Sequence, residues 1–212
     1  LGTTYNTSKN IPESGKLAGK TRQTFIWLVL VGASTVFLFL TVSYLLTTYG
    51  RDFHAFKLPI LFHANTVLIL VSSYTLHSAR KALQSDDLKT YFNGLLMTIA
   101  LGLAFVYFQV LAWQDLIQQR ITLQNNVAGA YLYVISGLHI LHVLVGVAWI
   151  AWLAAQAFDK QNDPVKSLLF EINTEKEMPL QLLGIYWHFV DVVWVYLYLF
   201  VLLMFYLAQH QI

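Results

Sequence analysis

The chain has 212 residues, of which 57% are hydrophobic and 11% charged, far below the roughly 25% charged residues of a soluble domain. Such a balance describes an integral membrane protein. The net charge of +2, with its basic residues scattered through short polar stretches, excludes the basic face of a nucleic-acid binder. The lack of cysteine excludes disulfides, thiolate-held metals and iron–sulfur clusters.

Residues 1–24 are polar, rich in Ser, Thr, Asn and Lys, with Pro12 and three glycines, and read as a mobile tail. They lack the apolar core and small-residue cleavage site of a signal peptide. Five apolar segments follow: Phe25 to Leu46, Leu58 to Leu76, Leu95 to Ala112, Val127 to Phe158 and Leu180 to Leu207. Each reaches about the 18 residues that a spanning helix needs, and the last two, longer than about 25, must tilt or project. The expected fold is an all-α bundle of five transmembrane helices occupying residues 25–209.

Basic residues are divided unevenly between the two ends of that bundle. Lys9, Lys16, Lys20, Arg22, Arg80, Lys81, Lys89, Lys160, Lys166 and Lys176 fall on one side, against Arg51, Lys57 and Arg120 on the other. This bias predicts a cytoplasmic N-terminus and, after five crossings, a C-terminus outside.

The spans differ in the polar residues they carry. Span one has none that titrates. Span two has Asn65 and Thr66, each followed seven residues later by Ser72 and Ser73, small polar groups suited to hydrogen bonding across helices. His77 ends this span, and with Asp86, Asp87, Glu171, Glu175 and Glu177 it forms a candidate proton-collecting surface on the cytoplasmic side. Span three offers Gln109 and Trp113 on one face, then an interfacial rim of Gln114, Asp115, Gln118, Gln119 and Arg120. Span four carries His139, His142 and Gly146 within about 60° of helical arc. In span five, Gly184, Trp187, Asp191, Trp194 and Tyr198 share one stripe, with His188 at its edge.

An ionisable residue near the middle of a membrane helix costs roughly 2.5 to 3.5 kcal/mol, so Asp191 should face protein and find a partner. At 1.5 Å per residue, Asp191 lies about 17 Å and His142 about 20 to 24 Å from the cytoplasmic side. His139 or His142 is therefore expected to meet the Asp191 and His188 face as an interior polar clamp. A metal reading of these residues is weaker. No glutamate lies within any span, as a di-iron bundle requires, and no second span matches the His63 and His77 pair that stacked haems would need.

The octapeptide Trp187-His-Phe-Val-Asp-Val-Val-Trp194, together with Gly137-x-His139-x-x-His142-Val-x-x-Gly146, resembles subunit III of the haem-copper respiratory oxidases, the cytochrome c oxidase family. The resemblance extends to Asn65-Thr66 with Ser72-Ser73 and to Phe108-Gln109, and covers residues 25 to 207. It implies a non-catalytic accessory subunit with no cofactor or metal of its own, haem and copper residing in partner subunits. Such a subunit packs on catalytic subunit I beside other oxidase subunits, binds phospholipid in a cleft, and supports proton uptake and sustained turnover. Asn65, Thr66, Ser72, Ser73, Gln109, Trp187 and Trp194 would then serve helix packing or contact lipid or subunit I.

The chain is similar to the five-span bacterial type, which implies the bacterial inner (plasma) membrane. Seven-span mitochondrial members have two further helices forming one wall of the lipid cleft, a wall that a neighbouring subunit would supply here. The membrane glutamate that many members carry before the Asn-Thr pair is replaced by Pro59-Ile-Leu-Phe-His63-Ala. Two alternatives stand beside this reading: an accessory subunit of a quinol oxidase or nitric oxide reductase, and a stand-alone carrier relaying protons through Asp191 and His188. A carrier would be expected to show internal repeats, and no convincing one is found.

Overall fold

Apolar runs of this length fold as helices because hydrocarbon offers no partner for a backbone N–H or C=O, so each must be satisfied within the segment. The computed structural model describes residues 13–48, 60–122, 127–161 and 177–210. Among the described residues there are five helices: α1 (Glu13–Thr48), α2 (Leu61–Gln84), α3 (Leu88–Gln118), α4 (Val127–Gln161) and α5 (Met178–His210).

The helices extend beyond the apolar segments, since hydropathy marks the part that sits in hydrocarbon and not where helical hydrogen bonding stops. α1 begins at Glu13, so about half of the expected polar tail is helical. Residues 1–12 of that tail lie outside the described residues. α3 takes in the Gln114, Asp115 and Gln118 rim as its final turns.

α2 and α3 are joined by a tight turn. Asp86 adopts a left-handed φ of 59°, which allows the Asp87 N–H to reach back to the Ala82 carbonyl at 3.0 Å. The Asp87 side chain then caps α3 by accepting from the Thr90 N–H at 3.0 Å. α3 ends in the same way, with Arg120 at φ 62° and the Ile121 N–H on the Leu116 carbonyl at 3.0 Å.

By length and hydropathy, α1, α3, α4 and α5 each contain a candidate membrane span. α2 falls short because His63, Asn65, Thr66, Ser72, Ser73 and His77 dilute its apolar residues. Its outward residues Val67, Leu70 and Val71 are nonetheless apolar and exposed, while Asn65 and Ser72 are buried. Its polarity is thus turned partly toward the other helices.

α2 and α3 form the most intimate pair, with Gly94 so close to Ala79 that a Cβ there would lie 2.8 Å from the alanine methyl. α4 packs on α3, and α5 packs against both α2 and α4. α1 touches α4 and α5, and makes no comparable contact with α2 or α3. Trp187 sits where the inner helices converge. A Cβ on Gly146 would come within 2.8 Å of its ring, and one on Gly102 within 3.3 Å. Two glycines, on α3 and α4, therefore make the slot that admits this indole. Between membrane helices such close packing replaces the hydrophobic drive that lipid does not provide.

Candidate functional site

The inward stripe of α5 meets the polar face of α2 in a ladder of side-chain hydrogen bonds. The Trp187 indole N–H donates to Ser72 Oγ at 3.1 Å, and the Trp194 N–H to Thr66 Oγ1 at 3.1 Å. Ser73 Oγ and His188 Nδ1 share a bond of 2.7 Å, and His63 Nδ1 pairs with the Tyr198 hydroxyl. The antiparallel crossing brings each rung into register. On its other side, α2 is tied to α3 by Asn65 Nδ2 donating to Gln109 Oε1 at 2.8 Å and by Thr75 with Thr98 at 2.8 Å.

Asp191 is 5% exposed, and its Oδ2 lies 3.7 Å from His188 Nδ1, the same nitrogen that engages Ser73. His188 itself is more than half exposed at the outer edge of the α2/α5 seam. The clamp expected from the sequence is corrected here, because neither His139 nor His142 hydrogen-bonds to Asp191. His142 is level with it on α4 but turns toward α1, where its ring lies 5.5 Å from that of Phe37, and its Nδ1 donates to the Leu138 carbonyl at 2.8 Å. His139 is fully buried and packs its ring against Trp194 at 5.2 Å and Phe105 at 5.6 Å. Trp194 thus takes the place beside His139 that a polar partner would have needed.

The candidate proton-collecting residues gather at the end of the bundle where α2 stops and α3 and α5 begin. His77, Asp86 and Asp87 are exposed there. Asp87 serves as the cap of α3, and hydrogen bonds from Thr90 hold its carboxyl below the usual carboxylate range. Glu177 accepts from Gln84 at 3.1 Å and from Gln181 at 3.3 Å. Glu171 and Glu175 lie outside the described residues. Among the described residues no three His, Asp or Glu side chains converge as a metal site.

At the opposite end, a small apolar recess is lined by Tyr44 of α1, Phe62 of α2, Leu132 of α4, and Trp194, Tyr198 and Met204 of α5.

This combination of an indole–hydroxyl ladder and a buried Asp beside a His on one membrane helix can be compared with known proteins. The sequence family described as cytochrome c oxidase subunit III matches residues 26–206. The chain belongs to the cytochrome c oxidase subunit III family. The cytochrome c oxidase subunit 3 of Anopheles quadrimaculatus is 31% identical over 147 residues, covering 69% of this chain and 50% of the relative. That of Loxodonta africana is 30% identical over 143 residues, covering 68% and 49%, and that of Danio rerio gives the same figures. The chain thus spans about half the length of the curated relatives it matches.

Within this subunit III fold, several contacts escaped the sequence reading. Gly102, which opens the Trp187 slot, could have been noticed as a small residue inside an apolar span. The Trp113 N–H donates to Ser136 Oγ at 3.0 Å and the Tyr186 hydroxyl to the His142 carbonyl at 2.9 Å. These depend on inter-helix register, for which the sequence holds no local signal.

Proposed function

We propose that this chain is the non-catalytic accessory subunit III of a proton-pumping terminal oxidase, packed on catalytic subunit I beside other oxidase subunits. It crosses the bacterial inner membrane five times, with the N-terminus in the cytoplasm and the C-terminus outside. Haem and copper belong to its partners. The observation that carries most weight is the span-five octapeptide, since Trp187, His188 and Trp194 each engage a hydroxyl of α2 and so tie α5 into the bundle.

Phospholipid occupies the recess between Tyr44, Leu132 and Met204 and covers the outward apolar face of α1, where Phe25, Leu28, Phe39 and Leu46 are exposed. The exposed His77, Asp86 and Asp87 supply protons on the cytoplasmic side, an imidazole and two carboxylates being groups that can take up and release protons there.

The test is a native purification through a tag on this chain, with visible spectra and identification of the partners. A haem-copper subunit should co-purify in stoichiometric amount, and the chain stripped from it should retain no haem. A monodisperse chain without such a partner, or haem held by the stripped chain, would overturn the reading.

A further inference from the structure

Three fully buried polar side chains from three helices have hydrogen-bonding atoms that no described residue meets. Asn65, Gln109 and His139 are each 0% exposed. Asn65 Nδ2 and Gln109 Oε1 pair with each other, but Asn65 Oδ1, Gln109 Nε2 and both ring nitrogens of His139 have no partner among the described residues. In native structures such groups are nearly always satisfied, and each one left bare inside the fold costs about 1 to 3 kcal/mol.

The three residues lie at one level of the bundle. The Trp113–Ser136 hydrogen bond and the approach of Val147 to Gly102 fix the register of α3 on α4 and put Gln109 opposite Ile140, next to His139. Phe105, one turn from Gln109, packs its ring 5.6 Å from His139. Trp194 touches the same imidazole at 5.2 Å and hydrogen-bonds to Thr66, the neighbour of Asn65.

We propose that Asn65, Gln109 and His139 form an internal binding site for water between α2, α3 and α4. The donor set selects this ligand. A carboxamide oxygen needs a donor, a carboxamide N–H₂ needs an acceptor, and a neutral imidazole presents one of each. An anion would leave the Asn65 oxygen opposed, and a cation would meet the Gln109 amide hydrogens. Water is small, neutral and both donor and acceptor, and buried waters typically make about three such bonds. Reversing both amides exchanges the roles of Asn65 and Gln109 and leaves the same requirement. The water links helices α2 and α4, between which no close backbone approach is found among the described residues, and can meet one ring nitrogen of His139 as donor or as acceptor, whichever tautomer is present.

Hydroxyl radicals generated from bound water by a synchrotron beam label the side chains that touch it, so the native complex can be footprinted directly. Trp194 and Trp187 are alike in exposure, 1% and 0%, and Trp194 adjoins the proposed site; because Trp194 also lines the apolar recess, a variant without the two amides separates the two sources of water. Trp194 and Phe105 should be oxidised several-fold faster than Trp187 and Leu183. In the double variant Asn65→Leu with Gln109→Leu, Trp194 should fall to the Trp187 rate. Equal labelling of the two tryptophans in the unaltered complex, or unchanged Trp194 labelling in a folded double variant, would overturn the proposal. Should the double variant fail to assemble, Gln109→Leu alone supplies the same comparison, and equal labelling of the two tryptophans in the unaltered complex still overturns the proposal.

Discussion

Removing the Trp187 indole tests whether the bundle is built around it. In Trp187→Ala the residue leaves a slot walled by Gly102, Gly146 and Val147, with its N–H bond to Ser72 lost. In a micelle or bilayer the displaced indole would have stayed in apolar surroundings, so the usual water-to-oil part of the loss is absent and lost packing remains. If about 100 Å³ of the slot stays open, ~24 cal/mol per Å³ gives about 2.4 kcal/mol, to which the interhelical hydrogen bond adds about 0.6 kcal/mol. Ser72 is not stranded, because its hydroxyl donates to the Ile69 carbonyl at 2.7 Å. A loss of about 3 kcal/mol corresponds to roughly 6 to 12 °C in Tm for a chain of this size. The assay is thermal unfolding in detergent followed by size-exclusion chromatography. Trp152→Ala, which removes an indole 57% exposed on α4, serves as the control and should shift Tm little. If both variants shifted equally, Trp187 would not be the centre of the packing.

Gly146→Ala should destabilise by about 1 to 3 kcal/mol in the same assay, since the added methyl meets the Trp187 ring at 2.8 Å; an unchanged Tm would show that the ring yields easily. Asp191→Asn should assemble with the oxidase and keep most turnover, because neither carboxylate oxygen holds a hydrogen bond that the change would remove. An Asn variant that assembles fully yet is inactive would instead make Asp191 a proton carrier. The Asp87 carboxyl is held below its ordinary value, so the cap is fully present above about pH 4 and is lost as pH falls through the lowered value. The protection of amides in the first turn of α3, measured against their intrinsic exchange rates, should therefore fall on acidification, and Asp87→Ala should remove that fall. A reporter fused after Ile212 should be active outside the cytoplasm and one near Asp86 inside; reversed signals would refute the five-span orientation.

The stripe of α5 was legible in the sequence because aromatic and polar residues recur at the helical period within an apolar run. Trp187, Asp191 and Trp194 all face inward as that periodicity requires. The small polar residues of α2 were legible as hydrogen-bonding groups, but not which indole each would meet, since that depends on the offset between two helices. Depth arithmetic placed His142 level with Asp191. It carried no information about azimuth, and His142 turns to α1 instead. The N-terminal extension of α1 was hidden for another reason: polar residues form helix as readily as apolar ones, so hydropathy marks the membrane and not the helix end.

The position of α1 has a consequence for how the chain is made. α1 precedes α2 and α3 in the chain, yet the helices it rests on, α4 and α5, follow them. The α2/α3 hairpin can close locally as soon as its short turn is complete. α1 can reach its own contacts only after α4 and α5 have followed. Among the described helices, assembly therefore starts at the α2/α3 hairpin and closes on α1, and an arrest before α4 would leave α1 without those contacts and open to capture by insertion factors or proteases.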